Sequence, residues 1–371
     1  MIDEMILDNE KRIKEIDKDD MYKFLMNMPK NCDEMLTMVK KIQFSHELKE
    51  FRFILICGMG GSAIGGNLAH DLLIDKIPIP IIIHRGYEIP AFVNNKTLMI
   101  VISYSGNTEE TLSIFAEGIQ RHCTIFGISS NGKLIEYCKK FGIEYVKVPA
   151  NIQPRAAIPY LFIAILIILQ KMKIISDISQ DLEEAISQLT ILKEEMSIKS
   201  LKTNNIAKKI AIGIQDTIPM IYASSGYASL ARRMKCQINE NSKNIAHWDE
   251  FPELNHNEIV GWELSSIITK NSCVILLRSH DENEVIKNRI EITKQIILKD
   301  KVKDIFEIWS RGTSRLAKIF SLLFIGDCVS YYLAILNNVD PSQVRSISEL
   351  KRRIKEKMNN IKNIENKLFS A

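Results

Sequence analysis

The first half of the chain alternates short apolar runs with segments of helical spacing. FRFILIC, beginning at Phe51, is followed by the runs IPIIIH, LMIVIS, CTIFGIS and IEYVKVP. Glycine or polar residues end most of these runs, which is typical of buried strands. Alternating strands and helices predict a parallel sheet flanked by helices. Before it, residues 1–50 carry apolar residues at helical spacing among charges, which predicts an N-terminal helical segment.

The second half repeats this organisation. The run IPMIYAS (218–224) and the segment that follows it resemble FILIC and its glycine-rich continuation, and SCVILLR and VKDIFEI are further strand candidates. Helices are predicted around 284–298, around 315–336 and from Ser346 onward. The Pro-bearing segment 149–159 predicts the boundary between the halves. The sequence therefore predicts an α/β protein with a helical segment at 1–50, a first lobe at 51–155 and a second lobe at 156–371.

Composition narrows the classes of function. The 371 residues carry a net charge of only +4, with basic and acidic residues intermixed, which gives little support for nucleic-acid or membrane binding. The apolar stretch 158–169 is shorter than the roughly 20 residues that span a bilayer. The seven cysteines form no C-x-x-C pair, and the acidic start is unlike a signal peptide. We expect a cytoplasmic protein that binds neither nucleic acid nor membrane.

The first motif with chemical content is GMGGSAIGG (Gly58–Gly66), which follows a predicted strand and opens a predicted helix. Glycines let backbone amides approach an anion, and a helix N-terminus favours negative charge. A phosphate, a sugar or a dinucleotide could bind there, and a structural tight turn is the alternative. The loop lacks the lysine of a P-loop and meets the dinucleotide pattern only in its looser form.

The second motif is SYSGNTEET, which also follows a predicted strand. Ser103, Ser105 and Thr108 place three hydroxyls at one helix N-terminus. Hydroxyls and exposed amides make a phosphate cradle without lysine, whereas simple N-capping would need only one hydroxyl. The number of hydroxyls favours a cradle.

Two further segments offer groups for proton transfer. Arg155 lies between two prolines just before the apolar helix and is either a solvated loop residue or directed into a pocket. The segment 237–263 carries Glu240, His256 and two tryptophans after a predicted helix. A carboxylate and an imidazole shielded by aromatic rings can be tuned for proton transfer, but an ordinary hydrated loop would have the same composition.

Together these blocks resemble the bifunctional phosphoglucose and phosphomannose isomerase family. GMGGSAIGG, SYSGNTEET, PRAAIPY, ENSKN with NHNEIVGW, and DPSQVRSISELK occur in this order between about residue 50 and residue 355. The resemblance implies two sugar-isomerase (SIS) lobes, a homodimer, and aldose–ketose isomerisation of hexose 6-phosphates in glycolysis or gluconeogenesis. It leaves open whether mannose 6-phosphate is used as well as glucose 6-phosphate.

The resemblance also implies residue roles. Arg155 would stabilise an enediolate, Glu240 would move the proton between C2 and C1, and His256 and Lys351 would assist ring opening. Whether His256 serves its own or the partner subunit's site stays open. The phosphate would be held by Gly60, Gly61, Ser62, Ser103, Ser105 and Thr108.

Neither a cofactor nor a metal is expected, because arginine can carry the charge stabilisation and the seven histidines show no familiar ligand spacing. Two other readings remain. A non-catalytic phosphosugar-binding regulatory SIS protein would keep the cradle without needing Glu240. A dinucleotide-dependent oxidoreductase would need an acidic residue at the end of the second strand, where His84, Arg85 and Gly86 stand instead.

Overall fold

The computed structural model describes residues 4–44, 50–357, 364–366 and 368. Their strands are β1 (Phe53–Cys57), β2 (Ile81–His84), β3 (Thr97–Ile102), β4 (Thr124–Ser129), β5 (Tyr145–Lys147), β6 (Ile218–Ser224), β7 (His247–Phe251), β8 (Ser272–Arg278) and β9 (Asp304–Trp309). The α-helices are α1 (Glu10–Ile16), α2 (Met21–Met26), α3 (Met28–Lys41), α4 (Gly61–Leu73), α5 (Glu109–Gln120), α6 (Gly132–Lys140), α7 (Ile158–Lys171), α8 (Ser179–Glu195), α9 (Ile206–Ile214), α10 (Ala228–Gln237), α11 (Glu258–Gly261), α12 (Ile267–Lys270), α13 (Glu284–Ile292), α14 (Arg315–Leu336) and α15 (Arg345–Lys357). Short 3-10 helices lie at Glu4–Asp8, Pro154–Ala157, Ser225–Tyr227 and Glu253–His256, and π-turns lie at Ile238–Ser242 and Thr293–Leu298.

The chain forms two compact units, each built around one sheet. The first-sheet unit comprises Asn31–Gln180 and Val344–Ala371, and the second-sheet unit comprises Met1–Lys30 and Asp181–Gln343. This division differs from the predicted boundaries because helix α7, assigned from sequence to the second lobe, packs on α4 of the first. Residues 1–3 and 45–49 of the predicted N-terminal segment lie outside the described residues.

The first sheet is entirely parallel, with strand order β2-β1-β3-β4-β5. Strands β3 and β4 are buried along their whole length, as expected for strands covered on both faces. This burial explains why their sequences are continuous apolar runs. The five strands predicted in this half are confirmed.

The second sheet is parallel with order β7-β6-β8-β9, which repeats the first order without its fifth strand. The predicted internal repeat is therefore confirmed as a repeat of topology. The segment 237–263, for which a hydrated loop was one alternative, contains strand β7, which was not predicted. This strand lies at the edge of the sheet and is only partly buried, so its sequence HWDEF has no apolar run to reveal it.

Among the described residues, two helices are apolar and long enough to cross a membrane by length and composition, Pro154–Lys171 and Arg315–Leu336. The most apolar 18-residue window is 83% buried in the first and 94% buried in the second. Helix α7 packs on α4, and α14 packs on α9 and α10, each within its own unit. Both therefore have the contacts of core helices, as was predicted for residues 158–169.

The start of α14 is capped from α8. The backbone amides of Thr313 and Ser314 donate to the Glu184 carboxylate at 2.6 and 2.9 Å, and the Thr313 hydroxyl donates at 2.7 Å. Burial alone would raise the pKa of Glu184, but the hydrogen bonds from Ser314 and Thr313 lower it to about 2. An ionised carboxylate at a helix N-terminus also opposes the positive end of the helix dipole.

Candidate functional site

The two loop motifs meet at one edge of the first sheet. The glycine-rich loop, which starts at Gly58, follows β1, and the SYSGN loop (103–107) follows β3. Strands β1 and β3 are parallel neighbours. In the order 2-1-3-4-5 the direction of winding reverses between β1 and β3, and open α/β sheets bind ligands in the crevice at such a point. Contact between the loops is direct, because the Tyr104 amide donates to Ser62 Oγ at 3.4 Å. The N-termini of α4 and α5 both begin at this edge.

The start of α4 is in close contact with the segment that carries Arg155. Gly60 is the N-cap residue of α4, and Gly61 opens the helix. A Cβ atom added to Gly61 would lie 3.3 Å from the carbonyl oxygen of Pro154, closer than most real Cβ contacts. The absence of a side chain at Gly61 thus lets the backbone lie close to this segment without displacing it.

The three hydroxyls of the SYSGN loop have different surroundings. Ser103 is 1% exposed, and its hydroxyl donates to Thr108 Oγ1 at 2.9 Å and accepts from the Thr108 amide at 3.4 Å. Ser105 is exposed, and its Oγ accepts from the Asn107 amide at 3.3 Å. Thr108 is the N-cap residue of α5, but its hydroxyl makes no capping bond, so simple N-capping does not explain it. The Ser103 hydroxyl is thus bonded within the loop, whereas Ser105 is exposed and Thr108 is partly exposed.

Gly106 fixes this loop against the start of α6. Its φ is +71°, and an added Cβ would lie 1.7 Å from the carbonyl oxygen of Asn131. The Gly106 carbonyl accepts from the Leu134 amide at 3.0 Å, and Asn107 Oδ1 accepts from the Lys133 amide at 3.1 Å. Any side chain at position 106 would therefore displace the loop.

Tyr104 links the SYSGN loop to the approach to Arg155. Its hydroxyl donates to the Pro149 carbonyl at 3.0 Å and accepts from the Ile152 amide at 2.9 Å. Burial raises the pKa of Tyr104, which keeps the hydroxyl protonated and able to donate. The sequence analysis missed this role, because nothing in the motif distinguishes Tyr104 from an ordinary core aromatic residue.

Arg155 is buried in the 3-10 helix Pro154–Ala157, with only 5% of its surface exposed. The alternative of a solvated loop arginine is therefore wrong. Burial of a guanidinium is costly unless it is compensated, so such a residue usually has a fixed orientation.

Glu240 lies in the π-turn that continues α10, and it is half-buried. π-turns are rare and occur often at functional sites. The turn is attached to α14, because Asn241 Nδ2 donates to Ser330 Oγ at 2.9 Å.

His256 lies in another layer of the same unit. Helix α10 covers the face of the sheet to which Trp248 points, since the Arg232 guanidinium lies 5.9 Å from the centre of the Trp248 ring. The segment after β7 covers the opposite face, where Leu254 packs in the cluster that contains Phe251. His256 itself is exposed. Glu240 and His256 thus belong to layers on opposite faces of the second sheet.

Lys351 is exposed on α15 of the first-sheet unit. Nearby, Glu349 pairs with Arg352 and Arg353 at 2.8 and 2.7 Å. Among the described residues after α15, Glu365 pairs with Lys133 and accepts from the Tyr137 hydroxyl at 3.1 Å. The chain on either side of residues 358–363 thus belongs to the first-sheet unit.

One side-chain cluster that the sequence analysis missed has the composition of a cation site. Atoms of His247, Asp249 and Glu258 that could bind a metal lie within 4.8 Å of one another. His247 Nε2 pairs with Glu258 at 2.8 Å, and the second Glu258 oxygen accepts from the Tyr222 hydroxyl. Burial, followed by the charge of Glu258, raises the pKa of Tyr222. These contacts account for His247 and Glu258 as a hydrogen-bonded pair with a supporting tyrosine.

Comparison with known proteins identifies the family of the chain. The family described as bacterial phospho-glucose isomerase C-terminal SIS domain matches residues 203–354. The bifunctional phosphoglucose/phosphomannose isomerase of Caldicellulosiruptor bescii is 38% identical over 337 residues, covering 91% of this chain and 99% of that protein. The protein of the same name from Thermoplasma acidophilum is 36% identical over 324 residues, covering 87% and 96%.

A solved structure supports the fold independently. Tagatose-6-phosphate ketose/aldose isomerase from Escherichia coli superposes with a TM-score of 0.69 at 14% identity, covering 87% of this chain and 94% of that chain. With relatives above 30% identity over most of both sequences, this chain belongs to the bifunctional phosphoglucose/phosphomannose isomerase family.

Proposed function

We propose that this protein is an aldose–ketose isomerase that interconverts glucose 6-phosphate, and also mannose 6-phosphate, with fructose 6-phosphate. The main support for the proposal is the edge of the first sheet at which β1 and β3 end. Two loops, two helix N-termini and the hydroxyls of Ser105 and Thr108 lie together there. Such an edge suits a phosphate dianion, because amides and hydroxyls donate to it and the helix dipoles favour its charge. The names of the relatives supply the two substrates.

In the proposed reaction Glu240 takes the proton from C2 of the open-chain aldose. The electrons form an enediolate with its negative charge on O1, which Arg155 stabilises. The hydroxyl proton of O2 passes to O1, and Glu240 returns its proton to C1, which gives the ketose with a carbonyl at C2. His256 and Lys351 assist ring opening. The oxidation of C2 is balanced by the reduction of C1 within one molecule, so the proposed reaction needs no redox cofactor, and Arg155 supplies the charge stabilisation that a metal would otherwise provide.

The regulatory alternative is less favoured, since the relatives are named as enzymes and Glu240, His256 and Lys351 are all present. The oxidoreductase alternative lacks its acidic residue after β2.

We also propose a cytoplasmic homodimer. Assignment of Glu240 and His256 to different layers supports a site in which His256 comes from the partner subunit.

The direct test supplies purified protein with fructose 6-phosphate and measures glucose 6-phosphate by coupled reduction of NADP. A parallel arm measures mannose 6-phosphate, and both are repeated after exhaustive chelation. We expect turnover with both sugars, unchanged by the chelator. Tight binding without turnover would favour the regulatory alternative, and loss on chelation with recovery on adding zinc would reject the metal-free mechanism.

A further inference from the structure

The turn that carries Glu240 ends in an unusual backbone conformation. Helix α10 passes into the π-turn Ile238–Ser242, and the next residue, Lys243, is left-handed with φ of +57°. A residue with a side chain adopts this conformation at a cost of about 1 kcal/mol or more, so the surrounding contacts must hold it. The last carbonyls of the turn also lack intrahelical donors and need other partners.

Buried contacts hold one side of the turn to α14. Asn241 Nδ2 donates to Ser330 Oγ at 2.9 Å, and both residues are fully buried. Asn337 Nδ2, at the end of α14, donates to the Ser242 carbonyl at 3.0 Å. These two bonds orient Asn241 and Ser242, the two residues that follow Glu240 in the turn.

The Lys243 ammonium contacts the Glu240 carbonyl directly. Its Nζ lies 3.0 Å from the Glu240 carbonyl oxygen, 3.1 Å from that of Asn241 and 2.6 Å from that of Asp340, in the loop after α14. Three carbonyls match the three hydrogens that an ammonium can donate. A positive charge at this point also complements the negative end of the α10 dipole.

We infer that Lys243 is a positioning residue for Glu240. By holding the Glu240 carbonyl to the loop at Asp340, it fixes the main chain from which the Glu240 side chain projects, and so the direction of the carboxylate. This inference rests on the proposed function, in which Glu240 is the base. A displacement of about 1 Å at a reacting group can lower a rate by roughly 10²-fold.

The test is Lys243→Met, which keeps the aliphatic stem and removes the ammonium. Lys301→Met is the matched control, because Lys301, although only partly exposed, is also a lysine whose Nζ donates to a backbone carbonyl, that of Glu263 at 2.8 Å. We expect Lys243→Met to lower kcat and C2 hydrogen exchange together by about 10- to 100-fold. KM should stay within about twofold, because the proposed phosphate contacts are elsewhere. Lys243→Arg should recover part of kcat by restoring a cationic donor.

The results separate this inference from the proposed function. Parental turnover in Glu240→Gln would remove Glu240 as the base and Lys243 as its positioning residue. If Glu240→Gln loses turnover but Lys243→Met has the same kcat as the Lys301→Met control, Glu240 remains the base. That result would overturn only the positioning role of Lys243. A Lys243→Met variant with KM raised as much as kcat is lowered, or an arginine variant without any recovery, would overturn it as well.

Discussion

Replacement of Gly106 tests whether the SYSGN loop is the phosphate cradle. In Gly106→Ala the new Cβ would start 1.7 Å from the Asn131 carbonyl oxygen, whereas real contacts are essentially never below 3.0 Å. The loop and the Asn131 backbone must separate by about 1.3 Å. A hydrogen bond to a charged group contributes about 1.5 to 3 kcal/mol, so loss of one phosphate contact should raise KM by about 10- to 100-fold.

The chain provides a matched control at Gly142. This residue has φ of +65°, close to the +71° of Gly106, but an added Cβ would meet nothing within 4 Å. Both alanine variants pay the cost of a left-handed alanine, about 1 to 2 kcal/mol, and only Gly106→Ala adds the clash. Steady-state kinetics with fructose 6-phosphate, with thermal unfolding to confirm folding, gives the comparison. Equal KM values in the two variants would refute the assignment of the loop.

Three further outcomes follow from particular contacts. Ser105→Ala should raise KM by about tenfold because it removes an exposed phosphate donor, whereas Ser103→Ala should mainly lower Tm. Steady-state kinetics and thermal melts distinguish the two effects. An unchanged KM in Ser105→Ala would contradict a phosphate contact by Ser105. Burial would raise the pKa of Glu184, but hydrogen bonding at the start of α14 lowers it from 4.5 to about 2. The ionised Glu184 therefore contributes fully to the stability of the folded protein above pH 4.5, and this contribution is lost as the pH falls toward 2. Glu184→Gln should therefore lower Tm at pH 7 by a margin that narrows progressively in melts toward pH 3, and a margin independent of pH would exclude this ionisation as the cause. Subunit exchange between Glu240→Gln and His256→Ala proteins should restore about a quarter of the parental activity if each site takes its histidine from the partner, and none if it does not.

Much of the fold was predictable because both sheets are parallel and largely buried. Strands such as β3 and β8 are buried throughout, so burial on both faces shows directly as an apolar run. Strand β7 escaped prediction because an edge strand is covered less and can be polar. The sequence analysis assigned α7 to the second lobe, whereas α7 packs on α4 in the first-sheet unit. An apolar sequence indicates that a helix is buried but not which helix it packs on.

The candidate site was predictable as motifs but not as geometry. Glycines and hydroxyls after two strands identified the edge of the first sheet, and parallel pairing of β1 with β3 brings them together. Sequence treats Ser103 and Ser105 alike, and only tertiary contacts distinguish a buried hydroxyl from an exposed one. Tyr104 and Lys243 act through backbone carbonyls far along the chain, and such acceptors leave no residue signature.

The central claim is that Glu240 moves the proton between C2 and C1. The most direct measurement follows hydrogen exchange at C2 of glucose 6-phosphate in deuterated water by proton NMR, for the parent and for Glu240→Gln. The amide keeps the shape of the side chain but is no longer a base, so exchange and turnover should fall together by about 10² to 10⁴-fold, with sugar phosphate binding retained. A Glu240→Gln protein that binds normally and still exchanges the C2 hydrogen at the parental rate would contradict the account.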